Sequence, residues 1–455
     1  MKENNIDALF NPKTLALVGA SADQSKIGYR LAENILSRGY KGEVFLVNPK
    51  APVILGKQCI ASINDLPRGI DLAVLSIPKK FFMESIEQCI QRGVKNVVAL
   101  TAGFKETGEE GIKLEEKLRK MLEASGTRLI GPNCAGLANT WIDLHSTIEI
   151  YPKKGKVSFV SQSGSICSAF SSNIAARSAG VSKYISLGNK VNMNEADFID
   201  HFAEDPETSC VALYLEDIAD GFKLRSAAEK TARRKPIVVF KSGRTPEGAK
   251  ATFSHTGAMA GDDKLADGAF RQMGICRADS LTELYDVSAA FTAIPALSNG
   301  RIAILSDAGG PGVIAADSVI QEGLQLPRLS AGAQDELYTF LPSFSSVLNP
   351  IDMTFTRDVG LYERSIEVLK KEDIGAVIVT IPSHFAVKEQ MVEVLRRARE
   401  KHGLPIVVAW LSADEVEKER RTLWEAGIPC FTDPQRAATV LKKIHQYSTW
   451  LRKRK

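Results

Sequence analysis

The sequence lacks the features that mark metal-binding, disulfide-rich, membrane and nucleic-acid-binding proteins. It has 7 cysteines in 455 residues and no Cys-x-x-Cys pair, which argues against a zinc site and a disulfide framework. No uninterrupted apolar stretch approaches the roughly 18 residues of a membrane-spanning helix, and the N-terminal segment MKENNIDALF has no apolar signal region. The net charge of +4 is small, whereas nucleic-acid binders cluster basic residues on one face. These absences predict a cytoplasmic, globular protein with no metal site and no nucleic-acid or membrane partner.

What the sequence does have is a repeated pattern of short apolar strand, glycine turn and amphipathic helix. Strands that alternate with helices predict an α/β fold with parallel sheets covered on both faces. Polar stretches at 151–156 and 295–301 interrupt the pattern. The chain is therefore predicted to form three α/β domains, over residues 1–150, 151–296 and 297–455.

The first domain has a glycine turn but no dinucleotide fingerprint. The predicted strand at 14–20 ends in Gly19 and Ala20, followed by Ser21, and Gly28 stands near the start of the next helix. This arrangement places backbone amides and a helix N-terminus where a phosphate group can be held. The motif is not GxGxxG, so by itself it supports dinucleotide binding only weakly.

The end of the second predicted strand says more about the ligand. A nicotinamide site usually has Asp or Glu there to bind the ribose hydroxyls, whereas this chain has Asn48, Pro49 and Lys50. A cation without a carboxylate favours a ligand with an additional phosphate, either NADP or coenzyme A. Other strand ends bring small or turn-forming residues to the same edge: Ile77, Pro78, Ala102, Gly103 and Asn133. No histidine or Tyr–Lys pair suited to hydride transfer adjoins them, so a binding platform is favoured over an NADP-dependent oxidoreductase.

One of the six histidines, His255, has a setting that suits phosphoryl transfer. It lies in KSGRTPEGAKATFSHTGAMAG, which is predicted to be a long functional loop after a strand that ends near Lys241. A helical segment is predicted from Asp262 to about Ala293. A neutral imidazole nitrogen is a competent nucleophile for phosphorus, but the same residues also fit an ordinary surface histidine.

A phosphorylated histidine needs an anion site and a carboxylate that fixes the ring tautomer. The SQSG segment, between an apolar strand and an apolar helix, supplies amides, hydroxyls and the positive end of a helix dipole. The predicted phosphate-binding residues are Ser161, Gln162, Ser163, Gly164 and Gly257. Glu216 follows an apolar run and is the best candidate for the carboxylate, with Asp217 as the runner-up.

Six segments, taken in order, resemble the ADP-forming acyl-CoA synthetases, relatives of succinyl-CoA synthetase. These segments are GASADQSKIG, GPNCAG, SQSGSICSAF, YLEDIADG, KSGRTPEGAKATFSHTGAMAG and SDAGGPGVIAAD. The resemblance covers nearly the whole chain, and SHTGA with its upstream SGR is its most specific part. It implies a Rossmann-like CoA-binding domain followed by two flavodoxin-like, doubly wound domains.

The resemblance also implies roles for particular residues. It implies that His255 is the phosphohistidine, that Glu216 supports it, and that Ser163 and Gly164 form the phosphate turn. It places Gly19, Ser21 and Lys50 along CoA, with Asn133 near its reacting end. The implied reaction converts acyl-CoA, ADP and phosphate into acid, CoA and ATP through an acyl phosphate and a phosphohistidine.

The family needs an ATP-grasp module for the nucleotide, and the residues after 300 show only a third α/β unit and a Lys/Arg-rich helix. The resemblance therefore implies a separate ATP-grasp β-type subunit that carries ADP or ATP with Mg²⁺, in an α2β2 assembly. The acid stays open between acetate, a branched or aryl acid and a dicarboxylate. A CoA-binding regulatory or scaffold protein of the same fold is the alternative. The joint presence of His255, Glu216 and SQSG argues against it, since a scaffold needs none of the three.

Overall fold

The computed structural model describes residues 6–256, 262–382, 387–412 and 414–454. Within these ranges the strands form sheets of seven, seven and five strands with helices between them, which confirms the predicted α/β class. None of the helices in the described ranges is long and apolar enough to cross a membrane.

The first sheet consists of β1 Thr14–Val18, β2 Glu43–Val47, β3 Val53–Ile54, β4 Lys57–Ile60, β5 Leu72–Leu75, β6 Asn96–Ala99 and β7 Arg128–Ile130. The helices in this part of the chain are α1 Asp7–Phe10, α2 Ile27–Ser37, α3 Lys79–Gln91 and α4 Glu109–Ser125. The strand order is β3-β4-β2-β1-β5-β6-β7, and only β3 and β4 pair antiparallel. Every residue of β5 and β6 is buried, as expected for parallel strands covered on both faces. Because β1 pairs with β2 on one side and β5 on the other, the switch point where such sheets bind ligands lies at the carboxyl end of β1.

The second sheet consists of β8 Gly136–Asn139, β9 Leu144–Thr147, β10 Lys154–Ser161, β11 Val181–Ser186, β12 Cys210–Leu215, β13 Ile237–Lys241 and β14 Ile275–Arg277. Its helices are α5 Gly164–Ala175, α6 Glu195–Phe202, α7 Gly221–Ala232, α8 Pro246–Thr256 and α9 Asp263–Met273. The strand order is β14-β13-β12-β10-β11-β8-β9, and β8 pairs antiparallel with both β9 and β11. Since β10 lies between β11 and β12, and Ser161 is in register with Ser186 and Tyr214, the carboxyl ends of these three strands are neighbours.

The third sheet consists of β15 Ile302–Ser306, β16 Ile351–Asp352, β17 Ala376–Ile381, β18 Ile406–Trp410 and β19 Cys430–Phe431. The helices in this part of the chain are α10 Leu281–Ala293, α11 Gly309–Gln321, α12 Ala331–Tyr338, α13 Gly360–Lys370, α14 Lys388–His402, α15 Glu417–Glu425 and α16 Pro434–Arg452. The strand order is β16-β15-β17-β18-β19, with every neighbouring pair parallel. The sheet is therefore doubly wound around β15, as the predicted strands in this part of the chain imply.

Two local predictions for the second sheet are wrong. The segment predicted as a long loop after Lys241 contains α8, whose Pro246 stands at the first helical position, where its fixed φ suits a helix start. The continuous helix predicted from Asp262 to about Ala293 is two helices with β14 between them. Gly274, at φ +77°, caps α9 in the left-handed conformation that ends helices.

Contacts divide the chain into two compact units. The first contains the residues up to Asn173 together with Gly180–Arg277, and the second contains Ile174–Ala179 together with the residues from Ala278 onward. The first two sheets thus belong to one unit, and the β8–β9 hairpin, although it precedes residue 150, pairs with the second of them. The predicted domain boundaries at 150/151 and 296/297 stay predictions.

Candidate functional site

The turn after β1 has close backbone approaches that only glycine allows. Gly19 has a φ of +90°, and a Cβ built on it would lie 2.2 Å from the carbonyl oxygen of Ser76. A Cβ on Gly28, in the first turn of α2, would lie 2.0 Å from the carbonyl oxygen of Gly19. The N-terminal turn of α2 is therefore packed directly against the carboxyl end of β1, where its dipole favours an anion.

This edge of the first sheet borders a crevice of about 570 Å³. Its lining includes part of the predicted cofactor site: Gly19, Ser21, Gly28, Ile77, Pro78 and Ala102. Three polar residues that the sequence prediction missed also line it: Ser25, Lys26 and Lys79. The two lysines stand at the starts of α2 and α3. A lysine at a helix start that follows a parallel strand is the signal that could have identified them.

The other predicted cofactor residues, Ala20, Asn48, Pro49, Lys50, Gly103 and Asn133, are not part of that lining. Asn48 instead ties two strand-end turns together. Its Nδ2 donates to the carbonyl oxygen of Ala20 at 2.7 Å, and its Oδ1 accepts from the backbone amides of Lys50 at 2.7 Å and Ala51 at 2.8 Å. Asn48 therefore shapes the turn through its own amide group. The ligand-binding roles of Asn48 and of the exposed Lys50 stay predictions.

Residues 131–133, which we call the GPN turn, follow β7 and carry Asn133 in the left-handed conformation at φ +58°. The backbone amide of Asn133 donates to the carbonyl oxygen of Thr101 at 2.9 Å, so the turn lies beside the loop that follows β6. The neighbouring Cys134 is buried, and its thiol donates to the carbonyl oxygen of Ala99 at 3.2 Å. Burial raises the pKa of the Cys134 thiol to about 12, so it is protonated and inert at neutral pH.

The SQSG turn (residues 161–164) joins β10 to α5. The buried Ser161 donates from Oγ to the carbonyl oxygen of Ser163 at 2.7 Å and accepts from its amide at 3.1 Å. The carboxylate of Glu149 accepts a hydrogen bond from Ser168 and lies 3.1 Å from the position of a Cβ on Gly164. A negative group thus already lies beside the first turn of α5, as the helix dipole favours.

Glu216 and the SQSG turn are held together by one side chain. Glu216 directly follows β12 and is 5% exposed. The Oε1 of Gln162 accepts from the backbone amides of Glu216 at 2.5 Å and Asp217 at 3.0 Å, and its Nε2 donates to the Asp217 carboxylate. Gln162 was predicted to bind phosphate, and in the structure its amide group makes these internal bonds.

Asp217 has a second partner, which the sequence prediction missed. The Nζ of Lys190 lies 2.8 Å from its Oδ1. Burial raises the pKa of the Asp217 carboxyl, but the Lys190 ammonium and the bonds from Lys190 and Gln162 outweigh it and hold the pKa below its ordinary value. Asp217 is thus an ionised structural carboxylate at neutral pH, which leaves Glu216 as the candidate partner of a histidine.

The backbone of His255 lies in the last turn of α8, whereas its side chain and the whole of Gly257 lie outside the described residues. Their predicted roles stay predictions. A buried cation stands at the strand end that precedes α8: Lys241, the last residue of β13, is 1% exposed. Its Nζ donates to the carbonyl oxygens of Ser242 at 3.0 Å and Glu216 at 3.5 Å, so it braces the strand end that carries Glu216.

In the second unit, the end of β15 and the start of α11 form a turn with the sequence SDAGGPG. Its Asp307 is 2% exposed, and burial raises the pKa of the carboxyl to about 6. Between about pH 4 and pH 6 the native state therefore holds a proton on Asp307 that the unfolded chain, with a pKa near 3.9, has released. Stability from this proton is present below about pH 4 and is lost as the pH rises through about 6.

We expect Asp307→Asn to raise the free energy of unfolding at pH 7 by up to about 3 kcal/mol, since each pKa unit is about 1.4 kcal/mol. The difference between variant and wild type should vanish as the pH falls to about 4. Urea unfolding of both proteins between these pH values measures it. Stability curves that run parallel across this range would show that Asp307 does not titrate as described.

Three family models match the chain in succession. The CoA binding domain matches residues 13–140, the succinyl-CoA ligase like flavodoxin domain matches 154–291, and the Ligase-CoA domain matches 302–452. The first match covers the strands and the glycine turn of the crevice, and the second covers the SQSG turn, Glu216 and α8.

Known proteins resemble the chain over nearly its whole length. It is 35% identical to the α subunit of acetate–CoA ligase (ADP-forming) II of Pyrococcus furiosus, over 97% of both chains. It is 36% identical to acetate–CoA ligase (ADP-forming) I of Archaeoglobus fulgidus, over 97% of this chain but 64% of that protein. The structure of the dinucleotide-forming acetyl-coenzyme A synthetase 1 of Ca. Korarchaeum cryptofilum, in complex with phosphate and ADP, superposes with a TM-score of 0.93 at 33% identity over 99% of both chains.

The chain thus spans nearly the full length of two relatives named as α subunits and less than two thirds of a longer relative. The three domain matches occur in the order that the sequence motifs predict. Family membership therefore does not depend on the resemblance of short glycine turns alone. The chain belongs to the ADP-forming acyl-CoA synthetases and is of their α-subunit type.

Proposed function

We propose that this chain is the CoA-binding, phosphohistidine-bearing subunit of an acid–thiol ligase that converts acyl-CoA, ADP and phosphate into acid, CoA and ATP. The observation that carries the proposal is the placement of Glu216 beside the SQSG turn at adjacent strand ends, held by Gln162. A regulatory or scaffold protein needs no such site, and the relatives named as ligase subunits support the enzyme.

The crevice of the first sheet fits a ligand such as CoA, because Gly19 and Gly28 let the first turn of α2 approach the carboxyl end of β1, where backbone amides and the helix dipole favour a phosphate. Lys26 and Lys79 would meet phosphate charges there, together with the predicted residues Ser21 and Lys50. CoA supplies the thiol that carries the acyl group. Asn133 would lie near that thiol, as the family resemblance implies.

The second sheet would carry the phosphoryl group. Phosphate displaces the thiolate from the acyl carbon, and an imidazole nitrogen of His255 then attacks the phosphorus of the acyl phosphate. The N–P bond forms as the P–O bond to the carboxylate breaks, which releases the acid. A terminal oxygen of ADP next attacks the phosphorus, and breaking of the N–P bond regenerates the imidazole and gives ATP. In these steps Glu216 would hold the imidazole tautomer, and the SQSG amides with the α5 dipole would stabilise the dianion.

The nucleotide, with Mg²⁺, would bind to a separate ATP-grasp β-type subunit, in an α2β2 assembly. Two facts support a second subunit: relatives of matching length are named as α subunits, and this chain spans 64% of a longer relative. Acetate is the first candidate acid, because it appears in the names of several relatives, although one relative is named for 4-hydroxybutyrate. We keep the cytoplasmic location as a prediction from the sequence.

Reconstitution with its partner tests this function. The chain is produced with an ATP-grasp chain from the same genome, and the pair is assayed for ATP formation from a panel of acyl-CoA thioesters, ADP and phosphate. We expect turnover only with both chains present, and CoA binding by this chain alone. If the chain binds CoA but forms no ATP with any partner or thioester, the scaffold alternative is favoured. If it forms ATP without a partner, the nucleotide does not need a separate subunit and that part of the proposal is wrong.

A further inference from the structure

The loop after β11, residues 187–191, contacts both of the sites described above. We call it the linking loop. On one side it packs against the GPN turn: the backbone amide of Asn189 donates to the carbonyl oxygen of Pro132 at 2.9 Å. Gly188 has a φ of +58°, and a Cβ on it would lie 2.3 Å from the same oxygen. The two segments are therefore in direct backbone contact.

The side chain of Asn189 extends this contact toward the loop after β6. Its Nδ2 donates to Glu106 at 2.7 Å and to Glu115, and its Oδ1 accepts from Asn133 at 3.4 Å. The Nζ of Lys105 donates to the backbone carbonyl of Asn189 at 2.8 Å. These bonds connect the linking loop to the strand ends at which CoA is proposed to react.

The next residue, Lys190, contacts the opposite side. It is in the left-handed conformation at φ +59°, which is uncommon without glycine and persists where the surroundings determine it. Its side chain is 2% exposed. The Nζ lies 2.8 Å from the Oδ1 of Asp217, donates to the Asp217 carbonyl oxygen at 3.1 Å, and lies 3.2 Å from the Oε2 of Glu195. Lys190 thus holds both the main chain and the side chain of the residue next to Glu216.

We propose that Lys190 is a positioning residue for the phosphoryl-transfer step, acting on Glu216 through Asp217. Gln162 fixes the backbone amides of Glu216 and Asp217 from the SQSG turn, and Lys190 fixes the carbonyl group and carboxylate of Asp217 from the linking loop. The strand end that carries Glu216 is therefore restrained from two sides. Asn189 and Lys190 are adjacent in sequence. Asn189 contacts the GPN turn, where CoA is proposed to react, and Lys190 contacts the strand end that carries Glu216. This inference rests on the proposed function.

The test is the rate at which the reconstituted complex incorporates label from γ-³²P-ATP. We expect Lys190→Met to slow labelling by about 10²-fold, the size of loss from a small misplacement of a catalytic group, while CoA binding stays unchanged. Lys190→Arg, which keeps the charge, should recover part of the rate. The matched control is Lys183→Met, because Lys183 is a buried lysine too, on β11 itself. It pairs with Asp205 at 2.8 Å and Glu207 at 2.6 Å and makes no ion pair with Asp217. We expect the Lys183→Met protein to have a lower free energy of unfolding than the wild type but to incorporate label at the wild-type rate.

A double variant covers the case in which Lys190→Met does not fold. Lys190→Met with Asp217→Asn removes one charge of each sign and so keeps the net charge of the buried cluster, and we expect the same loss of labelling rate. Labelling at the wild-type rate in either variant, or an equal loss in Lys183→Met, would overturn the proposal. His255→Ala is labelled in parallel: if it still takes up phosphate, the proposed function fails, and if it does not, the Lys190 result decides the positioning role alone.

Discussion

Replacing His255 by alanine is expected to abolish ATP formation and phosphoenzyme labelling while leaving CoA binding intact. The imidazole is the proposed covalent carrier between acyl phosphate and ADP, and removal of a nucleophile lowers turnover by factors on the order of 10⁴ to 10⁶. CoA binding should survive because the crevice is built from the carboxyl edge of the first sheet, whereas His255 belongs to α8 of the second. Rapid-quench labelling of the reconstituted complex and a direct CoA titration measure the two effects.

A variant on the same helix serves as the control for His255→Ala. Lys250 is exposed on α8, and Lys250→Ala keeps a good helix former, so it should label at the wild-type rate. If His255→Ala turned over normally with its partner, the phosphohistidine interpretation would be wrong. If Lys250→Ala lost activity to the same extent, the loss in His255→Ala would be explained by disruption of α8 and not by removal of the imidazole.

The second large effect is expected at Gly28. A methyl group there would lie 2.0 Å from the carbonyl oxygen of Gly19, so the start of α2 must move away from the end of β1. Overpacking of this kind costs about 1–3 kcal/mol, and displaced amides weaken a phosphate site. We expect Gly28→Ala to weaken CoA binding by about 10- to 100-fold, since 1.4 kcal/mol is a factor of ten. Isothermal titration with CoA measures the change.

Gly221 is the matched control for Gly28, because it also lies at the start of a helix, α7. A Cβ on Gly221 meets nothing within 4 Å, so Gly221→Ala should bind CoA normally and gain up to about 1 kcal/mol of stability from helix propensity. Undiminished CoA binding by a folded Gly28→Ala protein would show that the close approach of α2 to β1 does not form the phosphate site.

Several features of the site follow from local sequence. Apolar runs identify β1, β5, β12 and β15 because fully buried parallel strands need apolar side chains on both faces. The glycines at 19 and 28 stand where a strand turns tightly into a helix, so their role is visible without coordinates. Glu216 is conspicuous as the first acid after an apolar strand. In the same way, the position of SQSG between a strand and a helix predicts a turn that binds an anion.

Other features depend on distant partners. Short or polar strands such as β8, β9 and β11 have no strong pattern, and without β11 the linking loop and Lys190 could not be recognised. Pro246, Ala249 and Ala251 favour helix, yet the glycines around them suggested a loop, and α8 was missed. Asn48 and Gln162 are predicted to bind ligand, and only the structure shows that each also bonds to a neighbouring strand end.

The sequence by itself determined the α/β class, the order of the family motifs and the residues at the ends of the most apolar strands, because periodicity and glycine turns report the burial and geometry of single elements. Only the tertiary structure decided that β10 lies between β11 and β12. That order brings Gln162, Lys190 and Asp217 together from three separate connections. Strand order is set by how crossover helices pack on the whole sheet, so no local pattern contains it, and the ion pair that restrains Glu216 becomes visible only in the folded chain.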